Sequence, residues 1–138
     1  KELAETTAAL SSAEGPAVDM IVVGCPNASI AELKEIATML GSQNVKPGTR
    51  FWVMTSEVMR SYAQKMGYLD TIESAGGKII CGTCPSGWPR GTLRQNGINT
   101  VATNSPKMAF YVPATQDLQI HFGSTSRCVE AAINGIWR

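Results

Sequence analysis

The sequence has one histidine, His121, and it lies inside a strand pattern where a satisfied structural imidazole is the expected role. No Ser/His/Asp triad can be assembled around it. Long apolar runs are also missing: the segment Met20 to Val23 is typical, far below the roughly 20 residues a membrane-spanning helix needs. A membrane is therefore not an expected partner. Charge of one sign is lacking too, since 12 Lys and Arg against 11 Asp and Glu leave a net +1, with the basic residues scattered. Without a positive stripe to track a phosphate backbone, nucleic acid is not expected either. Neither a secretory segment, an internal repeat nor a low-complexity tract is visible, and Lys1 in place of an initiating methionine fits a piece of a longer chain. Four cysteines are too few for a disulfide scaffold; two of them three positions apart fit metal or redox chemistry in a reducing compartment, which points to the cytoplasm.

What is present suits one compact soluble domain: 138 residues, 43% hydrophobic and 17% charged. Glu2 to Ala13 mixes Ala, Leu and Glu and predicts a lead-in helix, stopped by Gly15 and Pro16. Residues 18 to 138 then form the sheet core of a single domain. Val18 to Val23 is too continuously apolar for a strand with one wet face, so it predicts a buried strand. Ser29 with Glu32 makes a capping box for a helix from Ile30 to Leu40, whose Ile30, Leu33, Ile36, Ala37 and Leu40 share one face. After a turn at Lys46 to Thr49, Arg50 to Thr55 reads as the second strand, and Ser56 caps a helix expected to turn Met59, Tyr62, Ala63 and Met66 inward. Leu69 to Ala75 predicts a short helix and Lys78 to Cys81 a third strand. Asn99 to Thr103 and Leu118 to Phe122 read as two more strands; Pro106 to Tyr111 starts one helix and Ser126 to Ile133 forms the last. Five strands alternating with about as many helices predict a three-layer α/β/α architecture, flavodoxin-like in appearance, with an open, mainly parallel sheet.

In such sheets ligands gather beyond the carboxyl ends of the strands. The polar punctuation falls there: Gly24-Cys25-Pro-Asn27-Ala-Ser29, Thr55-Ser56, Cys81-Gly-Thr-Cys84-Pro-Ser86, Thr103-Asn104-Ser105 and Gly123-Ser-Thr125. Parallel strands would project Cys25 and the Cys81/Cys84 pair from neighbouring strand ends, where they could bind one metal centre, because thiolates suit iron-sulfur clusters and zinc. Two alternatives stay open. Cys25 can be a buried cysteine at a strand end, and Cys81 with Cys84 can be a redox pair, although Pro85, Gly87, Pro89 and Gly91 interrupt the helix that a thioredoxin-like motif opens. Cys128 sits at helical spacing with Ala131 and Ala132 and reads as a small core residue. Asn104, Ser105 and Lys107 stand at a helix start, where free N–H groups favour a carboxylate or phosphate; equally, Ser105 can simply cap the helix ahead of Pro106. Trp88 and Arg90 can be loop packing and a solvated charge.

Taken in order, Val22-Val-Gly-Cys25-Pro-Asn-Ala-Ser29, Gly76-Gly-Lys-Ile-Ile-Cys81-Gly-Thr-Cys84, Thr103-Asn-Ser105-Pro-Lys107 and Phe122-Gly-Ser124 followed by Cys128-Val-Glu-Ala-Ala132 resemble the C-terminal portion of the large subunit of the aconitase X family. The match spans nearly the whole chain. The resemblance implies part of a hydro-lyase that dehydrates a small anionic hydroxy acid, such as cis-3-hydroxy-L-proline or phosphomevalonate. It implies an iron-sulfur cluster or a mononuclear iron, held by Cys25, Cys84 and Cys81 as candidates. In the family the later segment usually keeps only the cysteine matching Cys84, with a further ligand from an N-terminal portion. Asn27 stands where many relatives carry histidine, and Asn27, Ser29, Asn104, Ser105 and Lys107 are the candidate substrate contacts. An N-terminal portion and a small swivelling subunit or domain are the implied partners, and the catalytic base is expected from those parts. Other readings from the residues are a metal-free module that binds an anion or a partner at the same sheet edge, and a thiol-disulfide oxidoreductase using Cys81 and Cys84.

Overall fold

The computed structural model of the chain describes residues 2–138; Lys1, the first residue of the expected lead-in segment, lies outside them. Helix α1 (Glu2–Leu10) precedes β1 (Met20–Val23), α2 (Ile30–Leu40), β2 (Arg50–Thr55), α3 (Glu57–Lys65), α4 (Tyr68–Ser74) and β3 (Lys78–Cys81). After β3 come a 3-10 turn (Pro85–Gly87), the one-turn helix α5 (Thr92–Gln95), β4 (Thr100–Thr103), α6 (Pro106–Gln116), β5 (Gln119–Phe122) and α7 (Thr125–Asn134). The strands form one sheet in the order β3-β2-β1-β4-β5, and every pairing is parallel. All five carboxyl ends thus share one edge, and β1 is the switch point from which the chain first builds outward through β2 and β3 and then through β4 and β5.

Two cores line the two faces, as the period-2 alternation of strands requires. Ile21, Val23, Phe51, Val53 and Ala102 pack against Leu33, Ile36, Leu40, Leu69, Ile72, Val129 and Ala132 of α2, α4 and α7. Met20, Val22, Met54, Val101 and Ile120 pack on the opposite side against Met108, Ala109 and Val112 of α6. Four consecutive buried residues in β1 and in β4 explain why those segments carry no polar alternation. The outer edge of β5 is not left open: the N–H groups of Ser12 and Ala13 donate to the Ile120 carbonyl, and the Ser12 and Ser11 hydroxyls accept from the N–H groups of Ile120 and Phe122. His121 is held as a structural imidazole, stacked 5.1 Å from the Trp137 ring with its Nε2 3.2 Å from the Ala17 carbonyl, and burial pushes its pKa down.

The structure extends the sequence-based expectations at some places and departs from them at others. Ala63 of α3 is buried, but Tyr62 and Met66 are 54% and 58% exposed, because helical spacing identifies a face without saying what lies beside it. Helix α6 runs past Tyr111 and through Pro113 to Gln116, since Met108, Ala109, Val112 and Gln116 bury one face that outweighs the missing proline N–H. The glycine- and proline-rich loop after Cys84 holds the 3-10 turn, with Pro85 at its first position, and α5, and the Gln116 side chain of α6 bonds to both. Among the described residues, no helix is long and apolar enough to cross a membrane.

Candidate functional site

The loops after β1 and β3 meet although β2 lies between those strands, so the expectation of neighbouring strand ends is corrected. The β1 loop leans across the end of β2: the Ala28 N–H donates to the Met54 carbonyl at 2.8 Å, and the Thr55 hydroxyl donates to the Ala28 carbonyl at 2.8 Å. Gly24 turns the chain out of β1 at φ +84°, with its N–H donating to Asn104 Oδ1 at 3.1 Å from the end of β4. Asn104 Nδ2 in turn donates to the Thr125 hydroxyl at the start of α7. This chain of contacts fixes Cys25, whose side chain is 9% exposed.

From the other side, Trp88 settles the Cys84 loop. Its Nε1–H donates to the Thr83 hydroxyl at 2.7 Å, and its ring meets Trp52 of β2 edge-on at 5.6 Å. Gln116, fully buried at the end of α6, completes the anchoring: Nε2 donates to the carbonyls of Pro85, Trp88 and Pro89 at 3.2 to 3.3 Å, while Oε1 accepts the Leu93 N–H at 3.0 Å. Sequence inspection passes over Gln116, because a glutamine late in a helix gives no sign of carbonyls 27 to 31 residues away. Gln116→Leu keeps the volume and strands those groups, so it is expected to cost about 3 kcal/mol by the usual penalty for unpaired buried polar groups. Urea unfolding measures the loss, and faster proteolytic nicking between Cys84 and Pro89 reports the freed loop.

The result is a thiol pair. Cys25 Sγ and Cys84 Sγ lie 2.9 Å apart and are not covalently joined, and the Ser86 hydroxyl is 3.0 Å from Cys84 Sγ. Burial and the neighbouring Cys84 sulfur push the Cys25 thiol up to about 12, against smaller opposing effects of Lys107 and Ser105. Burial also pushes Cys84 up, but hydrogen bonds from Cys25 and Ser86 and the Lys107 charge outweigh it and leave Cys84 below the ordinary thiol value. Of the two thiols, Cys84 therefore holds its proton less tightly than Cys25.

Cys81 is not part of this pair. The last residue of β3 falls on the other face of the sheet from Ile80, with Glu57 and Arg60 of α3 as its charged neighbours, and burial raises its pKa. Gly82, at φ +72°, then carries the chain round to Thr83 and Cys84. Cys128 is fully buried in the α7 core, as its spacing predicts. Ser29 caps α2 through the Glu32 N–H, and Ser105 caps α6 through the Met108 N–H; both hydroxyls are engaged locally. Lys107 is exposed in the first turn of α6, and its charge reaches both sulfurs. Asn27 is exposed on the Cys25 loop. Beyond β4 and β5 an open cleft of about 660 Å³ is lined by Asn104, Phe122, Thr125, Ser126 and Arg127.

These proton affinities have a testable consequence. In metal-free protein, iodoacetamide is expected to alkylate Cys84 first, with an apparent pKa below the ordinary 9.0, while Cys25 and Cys128, both held near 12, react more slowly with it in the folded state. The same shifts act on stability. Cys25 and Cys128 lose their protons near 9.0 when unfolded and near 12 when folded, so the unfolding free energy falls as pH rises between those values. Cys84 acts in the opposite sense, favouring the fold above its unfolded pKa and losing that contribution as pH falls through its folded one. Denaturation midpoints across alkaline pH check the net decline.

The donor chemistry fits a thiolate-held iron in part: two soft sulfurs converge, and one of them holds its proton less tightly than an ordinary thiol. Among the described residues, no three His, Cys, Asp or Glu groups come together where they could hold one metal ion. Comparisons with known proteins agree with the fold. Residues 18–134 match a family profile described as the aconitase X third domain. A phosphomevalonate dehydratase large subunit from Methanocaldococcus jannaschii is 39% identical over 76% of this chain and 25% of its own length. A cis-3-hydroxy-L-proline dehydratase from Hypocrea jecorina is 31% identical over 97% of this chain and 22% of its own length. The crystal structure of Thermococcus kodakaraensis aconitase X in its holo-form superposes with a TM-score of 0.78 at 28% identity, covering 95% of this chain and 32% of that one. The chain therefore spans about a quarter of the length of the curated relatives it matches.

Proposed function

This chain belongs to the aconitase X family, and from that premise we propose that it is the iron-holding domain of a larger dehydratase, supplying Cys25 and Cys84 as two of the ligands. The observation that carries this is the 2.9 Å approach of two sulfurs 59 residues apart in sequence. Residues 1 to 138 act in this reading as one α/β domain of a large subunit that works in the cytoplasm, where thiols stay reduced. The further ligand and the base that removes the substrate proton come from an N-terminal portion, and a small swivelling subunit or domain closes over the substrate.

The iron, as a single ion or within an iron-sulfur cluster, supplies Lewis acidity toward a leaving hydroxyl. The rest is done by this chain's own side chains. Cys84 gives up its proton more readily than an ordinary thiol, and Cys25 must release its own to become the second sulfur donor. Asn104 fixes the Cys25 loop through Gly24, while Gln116 and Trp88 fix the Cys84 loop. Lys107 places a positive charge beside both sulfurs, suited to the carboxylate or phosphate of a small hydroxy acid. Asn27, Ser29 and Ser105 line the same edge, Ser105 through its cap and Asn27 as the exposed side chain of the Cys25 loop. The relatives' substrates, phosphomevalonate and cis-3-hydroxy-L-proline, are both hydroxylated acids and are the first to assay.

The test is iron and sulfide analysis of the full-length protein purified anaerobically with its small subunit, followed by dehydration assays on both acids. Brown, iron-containing protein that dehydrates one of them is the expected result. A colourless, iron-free preparation that cannot be reconstituted, or one inactive on every hydroxy acid tried, contradicts the reading.

A further inference from the structure

The separation of Cys25 Sγ and Cys84 Sγ, 2.9 Å, is closer than a comfortable nonbonded sulfur contact and longer than the roughly 2.0 Å of a disulfide, and both residues are free thiols. Access to them is unequal. Cys25 is 9% exposed, whereas Cys84 is half-buried on the loop above it. Cys128 is fully buried, and Cys81 faces α3. Among the described residues the only cysteine sulfurs brought into contact are thus not the ones that the Cys-x-x-Cys spacing pairs.

We propose that Cys25 and Cys84 form a reversible redox modification site, converted to an intramolecular disulfide by a small disulfide such as oxidised glutathione whenever no metal holds the two sulfurs. The exposed sulfur reacts first: Cys84 attacks oxidised glutathione, a mixed disulfide forms, and one glutathione leaves as its thiol with the Cys84 proton. Cys25 then attacks the Cys84 sulfur, the mixed disulfide breaks, and the second glutathione leaves with the Cys25 proton. Two protein thiols are oxidised by two electrons and one oxidised glutathione is reduced to two thiols. The sulfurs need close by only about 0.9 Å, so the loops that hold them for a metal also hold them for each other. A sulfur in the disulfide cannot serve as a thiolate ligand, so oxidation shuts the site and a thiol reductant reopens it. The disulfide itself requires only the two thiols and stands independently of whether iron binds there.

The experiment uses the full-length protein, purified anaerobically, stripped of metal with a chelator, incubated with oxidised glutathione, quenched with an alkylating agent and mapped by peptide mass spectrometry. The expected product is a Cys25–Cys84 cross-linked peptide lighter by two hydrogen atoms, with no retained glutathione, with Cys81 and Cys128 alkylated after denaturation, and with full reversal by dithiothreitol. The closed loop should also raise the urea midpoint, an effect absent in Cys25→Ala. Uptake of ferrous iron and sulfide should fall at least tenfold on oxidation. A stable glutathione adduct on Cys84 with Cys25 free, a Cys81–Cys84 cross-link, or undiminished iron uptake by the oxidised form of an iron-competent protein each overturns the proposal. A cross-link formed in protein that takes up no iron in either state would sink the iron-holding role and leave the disulfide site standing.

Discussion

Serine in place of Cys84 is expected to strip iron from the full-length protein and to lower dehydration by more than about 100-fold, since even outer-shell partners of a metal ligand are worth 10- to 100-fold. The reason is specific to this position. Hydrogen bonds from Cys25 and Ser86 and the Lys107 charge hold the Cys84 pKa below the ordinary thiol value, and a serine hydroxyl neither ionises near neutral pH nor offers soft sulfur. Cys81→Ser is the matched control. Because Cys81 faces Glu57 and Arg60 on the other side of the sheet, its loss should leave iron content and rate within about twofold, as for a surface change remote from the site. Iron analysis and initial rates on the three proteins separate the outcomes, and equal losses at both positions would mean that the pair has been misassigned.

Gly24→Ala is expected to destabilise the fold by about 3 kcal/mol, the sum of a left-handed backbone penalty of 1–2 kcal/mol and an overpacking cost of similar size. At φ +84° a side chain is already strained, and a Cβ placed there would sit 2.6 Å from both the Ala28 Cβ and the Met54 carbonyl oxygen. Backbone on two sides leaves no flexible atom to yield. Relief would have to come from moving the loop itself, and that loop carries Cys25 and receives Asn104. The variant should therefore lose iron as well as stability in the full-length protein. Urea unfolding gives the first quantity and iron content the second; an unchanged midpoint would show that the turn is looser than its contacts imply.

The fold was legible because the central strand β1 is a continuous apolar run, the other strands are short runs rich in β-branched and apolar residues, and glycines and capping serines mark many of the boundaries. Val22, Val23 and Gly24, or Ile79, Ile80 and Cys81, announce a strand and its end without help from distant residues. The convergence of Cys25 with Cys84 was foreseeable for the same reason, since parallel strands deliver both to one edge. Strand order was not: nothing local says that β2 lies between β1 and β3, so the reach of the Cys25 loop over Thr55 appears only in three dimensions. Cys81 and Cys84 look equivalent in sequence, yet the alternation of β3 and the turn at Gly82 send their sulfurs different ways. Gln116 had no local signature, because its partners belong to another loop. Tyr62 and Met66 were misplaced because an apolar helical stripe reads the same whether it meets a core or a free surface.

Anomalous scattering at the iron absorption edge from crystals of the anaerobic full-length protein measures directly whether the Cys25 and Cys84 sulfurs together hold iron. An iron peak within bonding reach of both sulfurs, with Cys81 outside that reach, is the predicted result. Iron bound elsewhere in the protein, or held through Cys81 with Cys25 and Cys84 left unligated, would contradict it.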